Sequence, residues 1–305
     1  MTFLCPYCRV PLNSAVDALD CSQCGRRFST DGATPDFSEG HYYDSFSGPG
    51  ELTPNAISGL EQEFAGTISR IREFYEPLLV RHGAKTVLDC GAGNGIGVDT
   101  LVDDGYDAWG LDLSALRKWQ WQERKHRERL VVADAMRTPF PDGYFDVVLS
   151  SGVIEHIGVT EYRDPTYRVR PLPERDDLRR AFLRELMRVC RPEGHVYIDC
   201  PNGSFPIDFW HGTTVAEPRF HSWTEGFLPA FGEIRRLVRS IRSTAGVEAV
   251  SPFGRLRFRQ SRARWFGRLL ATPAEAFFQA MNHRPLRWLA SSPFNPYLVV
   301  RIDVT

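Results

Sequence analysis

No uninterrupted apolar run in this chain reaches the roughly 18 residues that a membrane-spanning helix needs. Nor do the first residues form a charged-then-apolar leader, because Cys5 and Pro6 break the pattern at once. A cytoplasmic location is therefore the expectation. Lysine is nearly missing: Lys85, Lys118 and Lys125 are the three, so arginine carries almost all of the positive charge. The 37 cationic and 38 anionic side chains leave a net charge of -1, which excludes a polycation built as a whole for nucleic acid. Cysteine is sparse and odd in number, seven in all. Without an export leader, that count argues for reduced thiols and a metal site, against a disulfide framework. What is present suits a soluble globular chain. A content of 42% hydrophobic and 25% charged residues can bury a sizeable core, and 305 residues suit one large domain with a small module.

Four of the cysteines open the chain as two Cys-x-x-Cys pairs, Cys5/Cys8 and Cys21/Cys24. The spacing lets four thiolates meet one tetrahedral ion, and a set of four cysteines with no open position is the structural type of zinc site. Its binding free energy would hold a segment too small to fold by burial alone. Gly25 follows the last cysteine, where a positive φ is often needed. A Gly/Pro-rich stretch follows, with Tyr42, Tyr43 and Phe46 as candidate gating aromatics.

The strongest signal is "KTVLDCGAGNGIG" from Lys85. It reads as strand, glycine turn and helix, the first unit of a doubly wound α/β fold. A G-x-G-x-x-G dinucleotide fingerprint counted from Gly91 fails at Ile96, and no Gly-Lys-Ser/Thr follows to make a phosphate loop. Asp89, just before the glycines, would repel a pyrophosphate but suits a ligand with an ammonium group. The second strand, "YDAWGLDLS", ends in Asp112, where a carboxylate can grip both hydroxyls of an unphosphorylated ribose. The third, "RLVVADAMRTPF", leads to Asp134, placed to accept from an exocyclic amine. The fourth, "YFDVVLSSGVIEHI", ends in Ser150 and Ser151, with Glu155 and His156 beyond. An ammonium, a ribose diol and an adenine-like amine without phosphate describe S-adenosyl-L-methionine (SAM).

The series "VLDCGAGNG", "GLDLS", "ADAMRTPFPDGYFDVVLSSGVIEH" and "RELMRVCRPEGHVYIDCPN" resembles the successive motifs of class I SAM-dependent methyltransferases, in the group that includes the ubiquinone/menaquinone-type enzymes. The opening module resembles the Trm112-like zinc ribbon. The resemblance implies an α/β, doubly wound, seven-stranded Rossmann-like sheet with a small N-terminal zinc ribbon and an insertion between the last two strands. It implies a zinc ribbon over residues 1–40, a linker and gating helix over 41–80, and a methyltransferase domain over 81–305 with an arginine-rich insertion at 252–294. It implies SAM as cofactor, S-adenosyl-L-homocysteine as product and a structural Zn2+. Asp89, Gly91, Ala92, Gly93, Asn94 and Gly95 would line the methionine and ribose portion. Asp112 would take the ribose hydroxyls, Leu113 would pack on adenine, Asp134 and Ala135 would address its edge, and Ser151 would begin the loop under the sulfonium. Two plainer readings stand beside these: Asp112 as a strand-end cap and Asp134 as an Asx-turn residue.

Three segments depart from the family pattern. After His156 comes "GVTEYRDPTYRVRPLPERDD", which carries Arg163, Arg168 and Arg170. After the fifth strand comes "PNGSFPIDFWHGTTVAEPRFHSWTEGF", rich in aromatics and offering Asp208, His211 and His221. Histidine titrates near neutral pH, so His156, His211 and His221 are the candidate catalytic bases. Between Ile234 and Leu289 about a dozen arginines stand against two glutamates among Phe and Trp. There "TPAEAFFQAM" reads as a helix opened by a capping box from Thr272 to Glu275. The leading reading is an enzyme that methylates oxygen in a small-molecule, glycan or lipid-linked acceptor. The arginine-rich insertion offers peripheral contact with an anionic membrane or phosphorylated lipid. An RNA methyltransferase gripping its substrate through the ribbon is the runner-up, weakened because Arg9, Arg26 and Arg27 are the ribbon's cations. A SAM-binding adaptor without turnover is the third reading.

Overall fold

The structure is a computed structural model and describes residues 1–52, 63–162, 166–212, 218–255 and 265–305. Arg163, part of the linker (53–62) and part of the arginine-rich insertion (256–264) lie outside the described residues. The chain divides into two compact units, Met1–Leu149 with Arg184–His195, and Ser150–Leu183 with Val196–Thr305.

The first unit begins with four short strands, β1 (Asn13–Ala15), β2 (Ala18–Asp20), β3 (Arg27–Asp31) and β4 (Thr34–Asp36), which form an antiparallel meander. A π turn, Ile71–Tyr75, leads into α1 (Glu76–His82), which ends where Gly83 turns left-handed. Then β5 (Thr86–Cys90), α2 (Ile96–Asp103), β6 (Asp107–Asp112), α3 (Ala115–Gln120), β7 (Leu130–Val132) and β8 (Phe145–Ser151) alternate as the hydrophobic pattern dictates. Val87, Leu88, Val131, Val132, Val147 and Val148 are wholly buried, as strands covered on both faces must be. β6, β5 and β8 run parallel, with Leu88 opposite Trp109 and Val148. β7 continues the sheet on the other side of β6. One pairing goes beyond the sequence reading. β4 pairs parallel with β7 at Asp36 and Val132, so the cysteine-bearing meander extends the sheet. That covers the backbone of β7, which would otherwise be an exposed edge.

The second unit holds a hairpin of β9 (Val159–Tyr162) and β10 (Arg168–Pro171), the first part of α4 (Arg175–Val189) and the later part of β11 (Cys190–Pro201). A two-pair hairpin follows, β12 (Ile207–Asp208) with β13 (Arg219–Phe220). Then come α5 (Phe231–Ile241), β14 (Gly246–Val250), α6 (Trp265–Ala280) and β15 (Tyr297–Asp303). The strand order is β11-β15-β14, with β14 antiparallel to β15. Counting β5, β6, β7, β8, β11, β14 and β15 as strands one to seven, the order is 3-2-1-4 in the first unit and 5-7-6 in the second. This is an α/β fold with a mostly parallel sheet, as the sequence implies.

The capping box does not open a helix. α6 already runs from Trp265, and Pro273 sits inside it. Proline lacks an N–H, so one helical bond is lost there, while the apolar stripe formed by Phe277, Phe278 and Met281 with Ala290 continues to drive the segment against the core.

Candidate functional site

The first unit assembles a cradle from consecutive strand ends. Asp89 is the penultimate residue of β5 and is 2% exposed. The turn after it folds back on β6, with the Gly91 and Ala92 N–H groups donating to the Leu111 carbonyl at 2.9 Å each. Gly95 caps α2 at φ 79°, a left-handed conformation costly for any residue with a Cβ. A Cβ at Gly97 would sit 2.9 Å from Asp89 Oδ2, so glycine there lets the helix close on the carboxylate.

Asp112 joins the turn to the second strand end. Its Oδ2 accepts from the Gly93 N–H at 3.0 Å and its Oδ1 from the Leu113 N–H at 2.8 Å. Burial pushes its carboxyl up to about 6, against the opposing pull of the Arg117 guanidinium and the two backbone donors. Each oxygen keeps a further lone pair, so both remain competent for ribose hydroxyls. Asp134 is half-buried and its Oδ1 accepts from the Met136 N–H at 2.8 Å, the Asx-turn geometry weighed from the sequence. Leu113 and Ala135 follow these two acids directly.

Whether SAM suits this cradle can be tested on its donors. Asn94 is 1% exposed; its Oδ1 caps Ile96 at 3.0 Å, while its Nδ2 has no partner among the described residues. A buried amide donor left over in a glycine turn calls for an acceptor from a ligand. The acids suit an ammonium and a diol, and nothing in the turn suits a phosphate. The residues fit SAM.

Sequence reading missed two cradle neighbours. Arg117 reaches Glu63 at 3.2 Å and Gln120 at 2.9 Å while acting on Asp112, and Ser114 caps its helix at 3.0 Å. Trp121, 1% exposed, donates from Nε1 to the Gly93 carbonyl at 2.8 Å, fixing the turn. An indole buried with its N–H on a glycine carbonyl has no signature in sequence spacing.

The other candidates belong to the second unit. Ser151 donates to Asp199 at 2.8 Å and receives from Arg255 at 2.7 Å. Arg255 also meets Asp199 at 2.9 Å and the Tyr297 hydroxyl at 3.0 Å, and Tyr297 itself donates to Asp199. This buried Ser-Asp-Arg-Tyr network was not anticipated, because its contacting members lie 42 to 104 residues apart. His156 and His211 come together, with ring centroids 5.2 Å apart. His156 Nδ1 meets Glu161, and His211 Nδ1 meets Asp208 at 3.0 Å. The turn carrying Glu155 and His156 is held by Arg179, wholly buried. It donates to the carbonyls of Ile157 at 3.2 Å, Glu155 at 3.1 Å and Phe227 at 2.5 Å and pairs with Glu233 at 2.8 Å. His221 joins no ring contact with that pair among the described residues. It sits on the β12–β13 hairpin with Nε2 buried and without a partner among them.

The four leading cysteines converge, each thiol within 4.8 Å of the others, with Cys5 and Cys24 at 3.8 Å. Metal–sulfur bonds of about 2.3 Å in a tetrahedron put sulfurs about 3.8 Å apart, so the cluster is compatible with structural zinc. The knuckles match in backbone: Gly25 follows Cys24 at φ 71°, and Arg9 follows Cys8 at φ 62°. Arg9 holds that strained conformation while its guanidinium donates to the Thr138 carbonyl at 2.7 Å and the Phe140 carbonyl at 2.9 Å. Backbone donation from Arg26 pulls the Cys24 thiol down to about 6. Hydrogen bonding with the Cys24 thiol pushes the Cys8 thiol up to about 12.

Two cavities, of about 500 Å3 and 560 Å3, lie elsewhere, one along Arg9, Arg137 and Arg188 and one along Ser204, Trp223 and Thr224. Neither is lined by the cradle acids or the histidine pair. Among the described residues no helix is long and apolar enough to cross a membrane.

Strand order, glycine turn and acidic strand ends together define the Rossmann-like fold of SAM-dependent methyltransferases. Residues 88–198 match the family model described as a methyltransferase domain, Methyltransf_11, so the chain carries a methyltransferase domain. It is similar to the 2-methyl-6-phytyl-1,4-hydroquinone methyltransferase of Synechocystis sp., 28% identical over 171 residues, 53% of this chain and 46% of that protein. It is also similar to the demethylmenaquinone methyltransferase of Beutenbergia cavernae, 30% identical over 112 residues, 37% of this chain and 39% of that one. The chain thus spans less than half the length of these curated relatives. Among solved structures, the plantazolicin methyltransferase BamL, in complex with a triazolic desmethylPZN analog and SAH, has a TM-score of 0.50 at 13% identity. It covers 82% of this chain and 90% of that one, a likeness of fold alone.

Proposed function

We propose that this chain transfers a methyl group from SAM to an oxygen of a small-molecule, glycan or lipid-linked acceptor. The carrying observation is Asp112, whose two oxygens tie the glycine turn to the second strand end while remaining able to accept a ribose diol. Asp89 would balance the positive charge of the methionine portion, and Asn94 would donate to it. Asp134 and Ala135 would border the adenine edge, Leu113 would pack on its face, and Ser151 would begin the loop under the sulfonium. When bound, SAM supplies an electrophilic methyl group; the chain's own residues orient it and manage the acceptor's proton. His156 and His211 are the proton-accepting candidates, because each ring is fixed by a carboxylate on Nδ1. His221 remains a candidate on the neighbouring hairpin.

The cysteine cluster would hold one structural zinc ion through Cys5, Cys8, Cys21 and Cys24. Among acceptors, a lipid-linked one is favoured by apolar side chains left exposed in the insertion. Leu269, Leu270, Trp288 and Phe294 are each more than half exposed, in the same segment of sequence as Arg284 and Arg287. Such a surface suits peripheral contact with an anionic membrane.

Calorimetric titration with SAM, followed by transfer of a tritiated methyl group into lipid, small-molecule and RNA fractions, tests this reading. Label in lipid or small molecules supports it. Label in RNA would replace it with the RNA methyltransferase reading, and SAM binding without transfer into any fraction would favour the adaptor.

A further inference from the structure

We propose that Glu155, His156 and His211 hold a divalent cation in the second unit. One ligand atom from each lies within 4.8 Å of the other two. Two imidazoles and one carboxylate form a donor set suited to Mn2+, Fe2+, Co2+ or Zn2+.

Two independent observations point to an ion. First, the histidines already carry the outer contacts that orient metal ligands. His156 Nδ1 is held by Glu161, and His211 Nδ1 by Asp208, which is wholly buried and fixed in turn by Arg219 at 3.2 Å. A carboxylate on one ring nitrogen sets the tautomer and raises the basicity of the opposite nitrogen. Second, Glu155 is 1% exposed and its Oε2 has no hydrogen-bond partner among the described residues. A carboxylate buried in this way is costly unless a counter-charge meets it. Arg255 feels the Glu155 charge but donates to Asp199, while Arg179 pairs with Glu233 and Arg219 with Asp208 and Glu225, so Glu155 Oε2 is left without a donor among the described residues. Arg179 fixes the Glu155–Ile157 backbone, so the Glu155 and His156 side chains start from a rigid turn.

The site rests on the methyl-transfer reading for its chemistry, though not for its occupancy. A cation there would acidify an acceptor hydroxyl that binds it. The hydroxyl proton would leave to water, and the oxygen would keep a lone pair with which to act as nucleophile. His156 and His211 would then be ligands in place of free bases.

The test uses the full chain loaded with one equivalent of zinc to fill the cysteine cluster. It is titrated with Mn2+, followed by loss of the free-ion paramagnetic resonance signal, with SAM calorimetry on the same samples. The expected result is one Mn2+ per chain, weakened at least tenfold in H211A and E155Q and unchanged in H283A. If E155Q fails to fold, H211A with an unchanged melting curve carries the comparison. No Mn2+ uptake by the zinc-loaded wild type, or uptake unaffected by H211A, overturns the site. Mn2+ uptake without SAM binding would keep the site and sink the methyl-transfer reading, and SAM binding without Mn2+ would do the reverse.

Discussion

Replacing Asp112 by asparagine probes the cradle with the smallest change in shape. Asp112 is 8% exposed and accepts two backbone N–H bonds, at 3.0 and 2.8 Å. Asparagine keeps one acceptor oxygen, so one ribose contact and the charge assistance on the other are lost. Hydrogen bonds to charged groups contribute about 1.5–3 kcal/mol and neutral ones about 0.5–1.5, which places the combined loss near 2–4 kcal/mol. At about 1.4 kcal/mol per tenfold, D112N should weaken SAM binding roughly 30- to 1,000-fold. Titration calorimetry at pH 8 reads this directly, with thermal melts confirming that the variant is folded. The pH dependence adds a second reading. Burial pushes the Asp112 carboxyl up to about 6, so it gains a proton as pH falls through that value. Wild-type Kd should therefore rise toward about tenfold per pH unit below 6, while D112N stays flat. The sign for the unliganded fold is opposite to that of a salt-bridged aspartate. The folded carboxyl lies above its ordinary value near 3.9, so this group destabilises the fold above pH 6 and ceases to do so as pH falls toward 4. A D112N affinity within threefold of wild type would refute the assignment of Asp112 to the ribose.

The other expectations concern zinc, two buried guanidiniums and the surface. C21S, or a strong chelator, should release zinc and make residues 1–40 susceptible to limited proteolysis; wild-type resistance to the chelator and an uncleaved C21S would contradict a structural ion. R179A removes four hydrogen bonds from a wholly buried site and leaves Glu233 the longer pairing with Arg175 at 3.5 Å, a loss of about 3–5 kcal/mol in urea unfolding. R255A leaves Asp199, also wholly buried, without its guanidinium and should cost a similar amount; a change under about 1 kcal/mol would mean that the Ser151–Asp199–Tyr297 network is independent of Arg255. L269E/L270E should abolish co-sedimentation with anionic vesicles; equal binding by the variant would remove the support that these exposed leucines give to a lipid-linked acceptor.

The cradle was legible because its chemistry is local in sequence. Asp89, Gly91–Gly95, Asp112 and Asp134 lie at or just past the ends of strands whose buried Val/Leu runs announce them, and parallel pairing brings those ends together. The convergence of Cys5, Cys8, Cys21 and Cys24 before residue 40 was legible from their paired spacing. The pairing of the meander with β7 was not, because an edge pairing of Asp36 with Val132 depends on which backbone is left uncovered. The helix reading at Thr272 failed because a capping box is a short local pattern, whereas α6 already runs from Trp265 through Pro273. His156 and His211 were legible as histidines near strand ends. Their meeting, with Glu161 and Asp208 behind them, required two hairpins that spacing does not reveal. Arg179 and Arg255 hide among the many arginines and are distinguished only by burial.

The central claim is that the first unit binds SAM through the acids at its strand ends. Calorimetry of wild type and D112N with SAM in parallel tests it most directly. One SAM per wild-type chain, with affinity lost in folded D112N, is the expected result. No heat of binding in the folded wild type would contradict the account.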